Sequence, residues 1–127
     1  MFRLMSFAFA LASQTVVLSL SALVLWTAAA YAHAHLSRAA PRVDSTVASA
    51  PHEVTLSFTE NLESVRSTIE VRDAEGARMD QGEAEISGRT MRIGLKPLPQ
   101  GTYKVFWRAL SVDTHQSEGT FMFRVGK

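Results

Sequence analysis

The chain has 127 residues, is 46% hydrophobic and 20% charged, and carries a formal net charge of +1. This length allows one domain and little more, and the hydrophobic fraction is that of a globular protein. The low charge gives no reason to expect a nucleic-acid partner. The lack of cysteine excludes disulfides, thiolate metal sites and thiol nucleophiles.

The first 32 residues have the composition of an export signal. Arg3 is their only charged residue, and the densest apolar run extends from Val16 to Trp26. A basic start, an apolar middle and an Ala-x-Ala end are typical of a secretory signal peptide. We therefore predict a cleaved signal-peptide helix over residues 1–32 and a mature domain over residues 33–127, exported to the periplasm. A membrane anchor is the competing interpretation, because about 20 apolar residues can span a bilayer.

Three overlapping Ala-x-Ala frames leave the cleavage position open. They would make the first mature residue Tyr31, His33 or His35. The middle frame would start the mature chain at His33-Ala34-His35, where a free α-amine lies beside an imidazole. Such a pair can chelate a metal ion.

The mature domain shows the alternation of apolar and polar residues that predicts half-buried strands. Five segments carry this pattern: Val54–Phe58, Thr68–Arg72, Met91–Leu95, Tyr103–Ala109 and Thr120–Val125. Asp73–Gly76 predicts a turn after the second of them. Tyr103 and Trp107 share one face of the fourth segment and are predicted to be core aromatics. No part of residues 33–127 has apolar residues at helical spacing. Several short strands separated by turns within about 100 residues indicate an all-β sandwich or small barrel.

Metal-binding side chains are concentrated at two places in the mature sequence. His33 and His35 lie at its start, and Asp113 and His115 follow the Tyr103–Ala109 strand. In an extended segment, residues i and i+2 point to the same side, so Asp113 and His115 can converge on one ion. His52 lies before a strand and is predicted to be a surface residue.

Nitrogen ligands with one carboxylate favour a tetragonal Cu(II) or Ni(II) site, and Cu(II) stands at the top of the Irving–Williams order. Zinc is the alternative, because histidine and aspartate also bind zinc. Calcium and magnesium need oxygen ligands and are disfavoured.

Seven segments then occur in an order typical of one family: His33–Leu36, Pro41, Leu56–Asn61, Leu98–Val105, Trp107–Ala109, Ser111–His115 and Gly119–Phe121. Together they resemble the copper-resistance protein C (CopC-like) family of periplasmic copper carriers. The resemblance covers nearly all of residues 33–127. It implies a Greek-key β-sandwich of the immunoglobulin-like or cupredoxin-like kind, which agrees with the strand pattern.

The resemblance also implies a site for one Cu(II) ion. His33 would bind through its α-amine and its imidazole, and Asp113 and His115 would supply the remaining equatorial ligands. His35 corresponds to a further or axial ligand of many members. Glu60 corresponds to a carboxylate near the copper in some members, as a weak ligand or a neighbour of the ligands. The implied partners are an inner-membrane copper transporter of the CopD type and other periplasmic copper carriers.

Some members of this family hold Cu(I) in a methionine-rich loop. The mature sequence has only Met79, Met91 and Met122, which are not clustered. We therefore expect no separate Cu(I) site. The mature protein is expected to be soluble and monomeric and to bind Cu(II) only.

Three other functions compete with this interpretation. The His33-Ala34-His35 start could bind copper alone, through the amine, two backbone amides and the third-residue imidazole. A terminal histidine clamp also resembles the centre of copper monooxygenases that cleave polysaccharides. A filled equatorial plane leaves little room for a substrate, so we expect a binding protein and not an enzyme. The third alternative is a structural immunoglobulin-like domain with incidental histidines.

Overall fold

The computed structural model describes residues 34–126. The predicted signal peptide over residues 1–32, its cleavage position and His33 lie outside this range. Between Ala34 and Gly126, no helix is long and apolar enough to cross a membrane.

Residues 34–126 form eight strands in two four-stranded sheets. The strands are β1 (Leu36–Ala40), β2 (Ser45–Val47), β3 (Glu53–Phe58), β4 (Thr68–Arg72), β5 (Asp80–Ser87), β6 (Thr90–Leu95), β7 (Gly101–Leu110) and β8 (Gln116–Val125). One sheet has the order β1-β3-β6-β5 and the other β2-β8-β7-β4. Neighbouring strands are antiparallel, except that β2 runs parallel to β8. The prediction of an all-β sandwich is confirmed.

The five predicted strands are all present, as β3, β4, β6, β7 and β8. Their alternating residues point into the core as expected, because successive side chains of a strand face opposite sides. In β8, Phe121, Phe123 and Val125 are buried and Met122 is exposed. In β7, Tyr103 is buried and stacks on Phe123 with ring centroids 5.4 Å apart.

Trp107 differs from the prediction of a core aromatic, because it is only half-buried. Its ring and that of Phe58 form a T-shaped pair with centroids 5.1 Å apart, and Trp107 packs against the core at its margin. It lies opposite Gly119 in the β7–β8 pair, and the missing side chain of that glycine leaves space for the indole.

The strands β1, β2 and β5 were not predicted. The alternation in β5 is short, because only Ala84 and Ile86 face the core in its second half and both are only partly buried. Both β1 and β5 are edge strands with irregular pairing. β5 is mostly exposed and contains Gly82 at φ +76°. β2 has three residues, too few for a period of two to be visible.

The chain crosses between the sheets from β4 to β5, and a buried carboxylate joins the two strands there. The predicted turn over Asp73–Gly76 is present, with the Gly76 N–H donating to the Asp73 carbonyl at 3.1 Å. Asp80 then accepts a hydrogen bond from the Val71 N–H at 2.8 Å and one from the Arg78 guanidinium at 2.8 Å. Burial by itself raises the pKa of Asp80, but these hydrogen bonds outweigh it and hold the pKa below its usual range.

Candidate metal centre

Asp113 and His115 lie in the turn that joins β7 to β8. The Thr114 N–H donates to the Ser111 carbonyl at 2.9 Å, and the Ser111 N–H donates to the His115 carbonyl at 3.0 Å. Thr114 has a φ of +73°. The turn brings the two side chains together, with His115 Nδ1 3.5 Å from Asp113 Oδ1. The predicted convergence is therefore present, but the expected extended backbone is wrong, because a tight turn produces it.

This nitrogen–oxygen pair can bind one ion. Transition metals bind imidazole nitrogen and carboxylate oxygen at about 2 Å, so two ligand atoms of one ion lie at most about 4 Å apart. The separation of 3.5 Å is within that limit. The side chains of Asp113 and His115 are 51% and 46% exposed, so an ion can reach them from solvent. The hydrogen bond from Ser111, with a smaller contribution from His115, lowers the pKa of Asp113 and keeps the carboxylate in its binding form.

The start of the described chain is fixed at the same end of the sandwich. Ala34 is fully buried, and its carbonyl accepts a hydrogen bond from the Ser117 hydroxyl at 2.5 Å. The His35 N–H donates to Thr59 Oγ1 at 2.9 Å, and the His35 carbonyl accepts from the Thr59 N–H at 2.9 Å. Ala34 is therefore bonded to β8 at a residue two positions after His115, and His35 is bonded to the residue that follows β3. The two sheets together hold the start of the domain.

Glu60 lies on the loop after β3, which packs beside the Asp113–His115 turn. The Val112 N–H donates to the Asn61 carbonyl at 3.0 Å, and Leu62 pairs with Ser111. Glu60 itself is half-buried and follows Thr59, the residue bonded to His35. The fold thus brings the candidate residues it describes to one end of the sandwich.

Among residues 34–126, no group of three or more histidine, aspartate or glutamate side chains is close enough to hold a metal ion. Asp113 and His115 are in contact, whereas His35 and Glu60 lie at the same end without joining that pair in a three-residue group. His33 is outside the described range. His52 is exposed at the opposite end of β3, as predicted for a surface residue.

Residues that hold the candidate ligands in place were not identified from the sequence. Ser111 bonds the Asp113–His115 turn, and Ser117 and Thr59 bond Ala34 and His35, which form the N-terminal arm. A serine directly after a strand is a common turn residue that hydrogen-bonds nearby backbone, and this signal could have identified Ser111. Ser117 and Thr59 act on residues far away in the chain, so no local pattern marks them.

Comparisons with known proteins identify relatives. A family model described as the CopC domain matches residues 36–126. Copper resistance protein C of Xanthomonas campestris pv. juglandis is 34% identical over 128 residues, covering 94% of this chain and 98% of that protein. Copper transport protein CutJ of Bacillus subtilis is 33% identical over 109 residues, covering 83% of this chain. This chain spans only 20% of the length of CutJ.

The fold has a match among solved structures. The methionine-rich copper resistance protein PcoC from Escherichia coli superposes with a TM-score of 0.65 at 34% identity. The alignment covers 74% of this chain and 99% of PcoC. The β-sandwich is therefore shared along almost the whole of that relative.

Proposed function

Because this chain belongs to the CopC domain family, as its sequence motifs predicted, we propose that it is a periplasmic carrier of one Cu(II) ion. In this proposal His33 becomes the first residue after cleavage and binds through its α-amine and imidazole. Asp113 and His115 complete the equatorial plane, and His35 and Glu60 are outer ligands or neighbours. The carrier serves copper resistance or homeostasis, or delivers copper to a membrane transporter.

One observation carries this proposal: Ala34 is tied by its carbonyl to Ser117, two residues after His115. In the sequence, His33 directly precedes this fixed residue, so the proposal asks only one further residue to reach the Asp113–His115 turn. The names of the relatives, copper resistance and copper transport, support copper as the cargo. The nitrogen–oxygen donor set supports the oxidised ion.

The described contacts also oppose copper binding by the terminal tripeptide alone. That mode uses the backbone nitrogens of Ala34 and His35 as ligands. Ala34 is fully buried, and the His35 N–H is bonded to Thr59 Oγ1. Copper would have to break that bond and pull Ala34 out of the core, whereas the site with Asp113 and His115 leaves both in place.

The test combines the mature N-terminus with copper affinity. Protein expressed with its own leader is purified from the periplasm, and intact mass or Edman sequencing is expected to show His33 as the first residue. Competition with a chelator then measures Cu(II) affinity. We expect a large loss of affinity in Asp113→Ala, in His115→Ala and after adding a glycine before His33. His52→Ala is the matched control, because this exposed histidine lies at the other end of the sandwich, and it should leave affinity unchanged.

The outcomes separate the alternatives. Affinity that survives both Asp113→Ala and His115→Ala would refute the folded site and favour the terminal tripeptide. Sustained reductant-driven peroxide production would favour an enzyme. A melting temperature that does not rise with Cu(II) would favour a structural domain, since an ion that binds the native state must stabilise it.

A further inference from the structure

Ser111 is a buried serine at the start of the Asp113–His115 turn. We infer that it is a positioning residue for the proposed Cu(II) ligands Asp113 and His115. The inference rests on the proposed function and adds a residue that acts through the ligands without binding the ion. It follows from three hydrogen-bonding contacts of one hydroxyl group.

The Ser111 side chain is enclosed, because the residue is only 1% exposed. Its hydroxyl contacts Asp113 Oδ1 and lies 3.0 Å from the His115 carbonyl, and it accepts the His115 N–H at 3.3 Å. A serine hydroxyl has one hydrogen to donate. The carboxylate is the charged acceptor, so the hydrogen goes to Asp113.

This arrangement fixes both ligands from one buried atom. The oxygen that Ser111 holds, Asp113 Oδ1, is the one that faces His115 Nδ1 at 3.5 Å. A carboxylate oxygen can accept this hydrogen bond and still bind a metal through its other lone pair. The bond from the His115 N–H to the same hydroxyl holds the backbone that carries the imidazole. Without the hydroxyl, Asp113 can rotate away and the nitrogen–oxygen pair is no longer preset for an ion.

The chain contains a matched control for this role. Ser67 is also buried, and its hydroxyl accepts the Leu110 N–H at 3.0 Å, one residue before Ser111. It bonds neither Asp113 nor His115 among its described contacts. Ser67→Ala and Ser111→Ala therefore remove the same group from neighbouring buried positions, and only the second loses contact with the ligands.

The experiment measures Cu(II) affinity by chelator competition and the EPR parameters of the copper-loaded protein, using processed protein from the periplasm. Loss of a group that orients metal ligands typically weakens binding 10- to 100-fold. We expect a loss of this size in Ser111→Ala, with shifted g and hyperfine values. Ser67→Ala should change stability while affinity and spectrum stay those of the wild type.

Ser111→Thr and Ser111→Val give a second comparison that holds if Ser111→Ala does not fold. Their side chains have nearly the same shape, so both place the same additional bulk in a closed site, and only threonine retains the hydroxyl. Threonine should bind Cu(II) at least ten times more tightly than valine.

Equal affinities and spectra for the threonine and valine variants would overturn the inference. So would a Ser67→Ala variant that loses as much affinity as Ser111→Ala. The proposed function fails separately: if Asp113→Ala leaves copper affinity unchanged, the folded site itself is wrong, whereas a sensitive Asp113→Ala with an insensitive Ser111→Ala removes only the positioning role.

Discussion

Gly119 is the position where the packing of the sandwich can be tested most directly. It lies opposite Trp107 in the β7–β8 pair, and a Cβ placed on it would be 2.6 Å from Cζ2 and 2.8 Å from Cε2 of the indole. Real Cβ atoms do not approach a ring that closely. The Gly119→Ala substitution must therefore displace Trp107, which in turn contacts Phe58.

The size of the effect follows from two opposing contributions. Overpacking of a packed site costs about 1–3 kcal/mol. Replacing a strand glycine by alanine returns about 0.5–1 kcal/mol, because less backbone entropy is lost on folding. The net loss in the free energy of unfolding is about 0–2.5 kcal/mol, centred on about 1 kcal/mol, and each kcal/mol lowers the Tm of a domain of this size by about 4–8 °C.

Thermal unfolding of Gly119→Ala, followed by circular dichroism and by tryptophan fluorescence, measures both consequences. Trp107 is the only tryptophan in residues 33–127, so the emission of the processed protein reports on this ring. We expect a lower Tm and a red-shifted emission in the folded protein. Trp107→Phe in the same chain should reduce the loss, because the smaller ring relieves the contact and the two substitutions are coupled.

Gly94→Ala is the control, because it is also a strand glycine but its Cβ would lie 3.4 Å from the nearest atom, the Gln81 carbonyl oxygen. It should be neutral or slightly stabilising. A Gly119→Ala variant whose Tm and emission match those of Gly94→Ala would refute the packing argument for Trp107.

Two further predictions concern the connection from β4 to β5, where Asp80 is buried, and the N-terminal arm. Asp80→Asn should lower the free energy of unfolding by about 1–2 kcal/mol at neutral pH, because hydrogen bonds to charged groups are among the stronger ones. The loss stays at this size because Arg78 is half-exposed, so solvent screens its charge. Folding lowers the pKa of Asp80. Its contribution to the free energy of unfolding is therefore present above the unfolded pKa of about 3.9 and is lost as the pH falls through the folded pKa. A Tm difference that does not shrink below about pH 4 would contradict this. Ser117→Ala removes the hydrogen bond to the Ala34 carbonyl. This variant should exchange the His35 amide hydrogen faster and bind Cu(II) more weakly. Unchanged exchange would show that the N-terminal arm is held by other contacts.

The fold was predictable where a strand has one face in the core and one in solvent. β3, β4 and β6–β8 have this environment, and their alternating residues mark them. In the edge strand β5 only Ala84 and Ile86 alternate toward the core, and both are partly buried, so the pattern is too short to mark an eight-residue strand. Trp107 was assigned to the core from its face alone, and its partial exposure depends on its position at the margin of the sandwich.

The sequence by itself determined the all-β class, the inward faces of five strands, the proximity of Asp113 and His115, and the family. These are properties of residues close together in the chain. Only the tertiary structure decided that Ser117 holds the carbonyl of Ala34, 83 positions earlier, and that the hydroxyl of Ser111 is buried against the candidate ligands. The reason is physical: hydrogen bonds between distant segments, and the burial that makes a hydroxyl a fixed support, exist only after the sheets have packed.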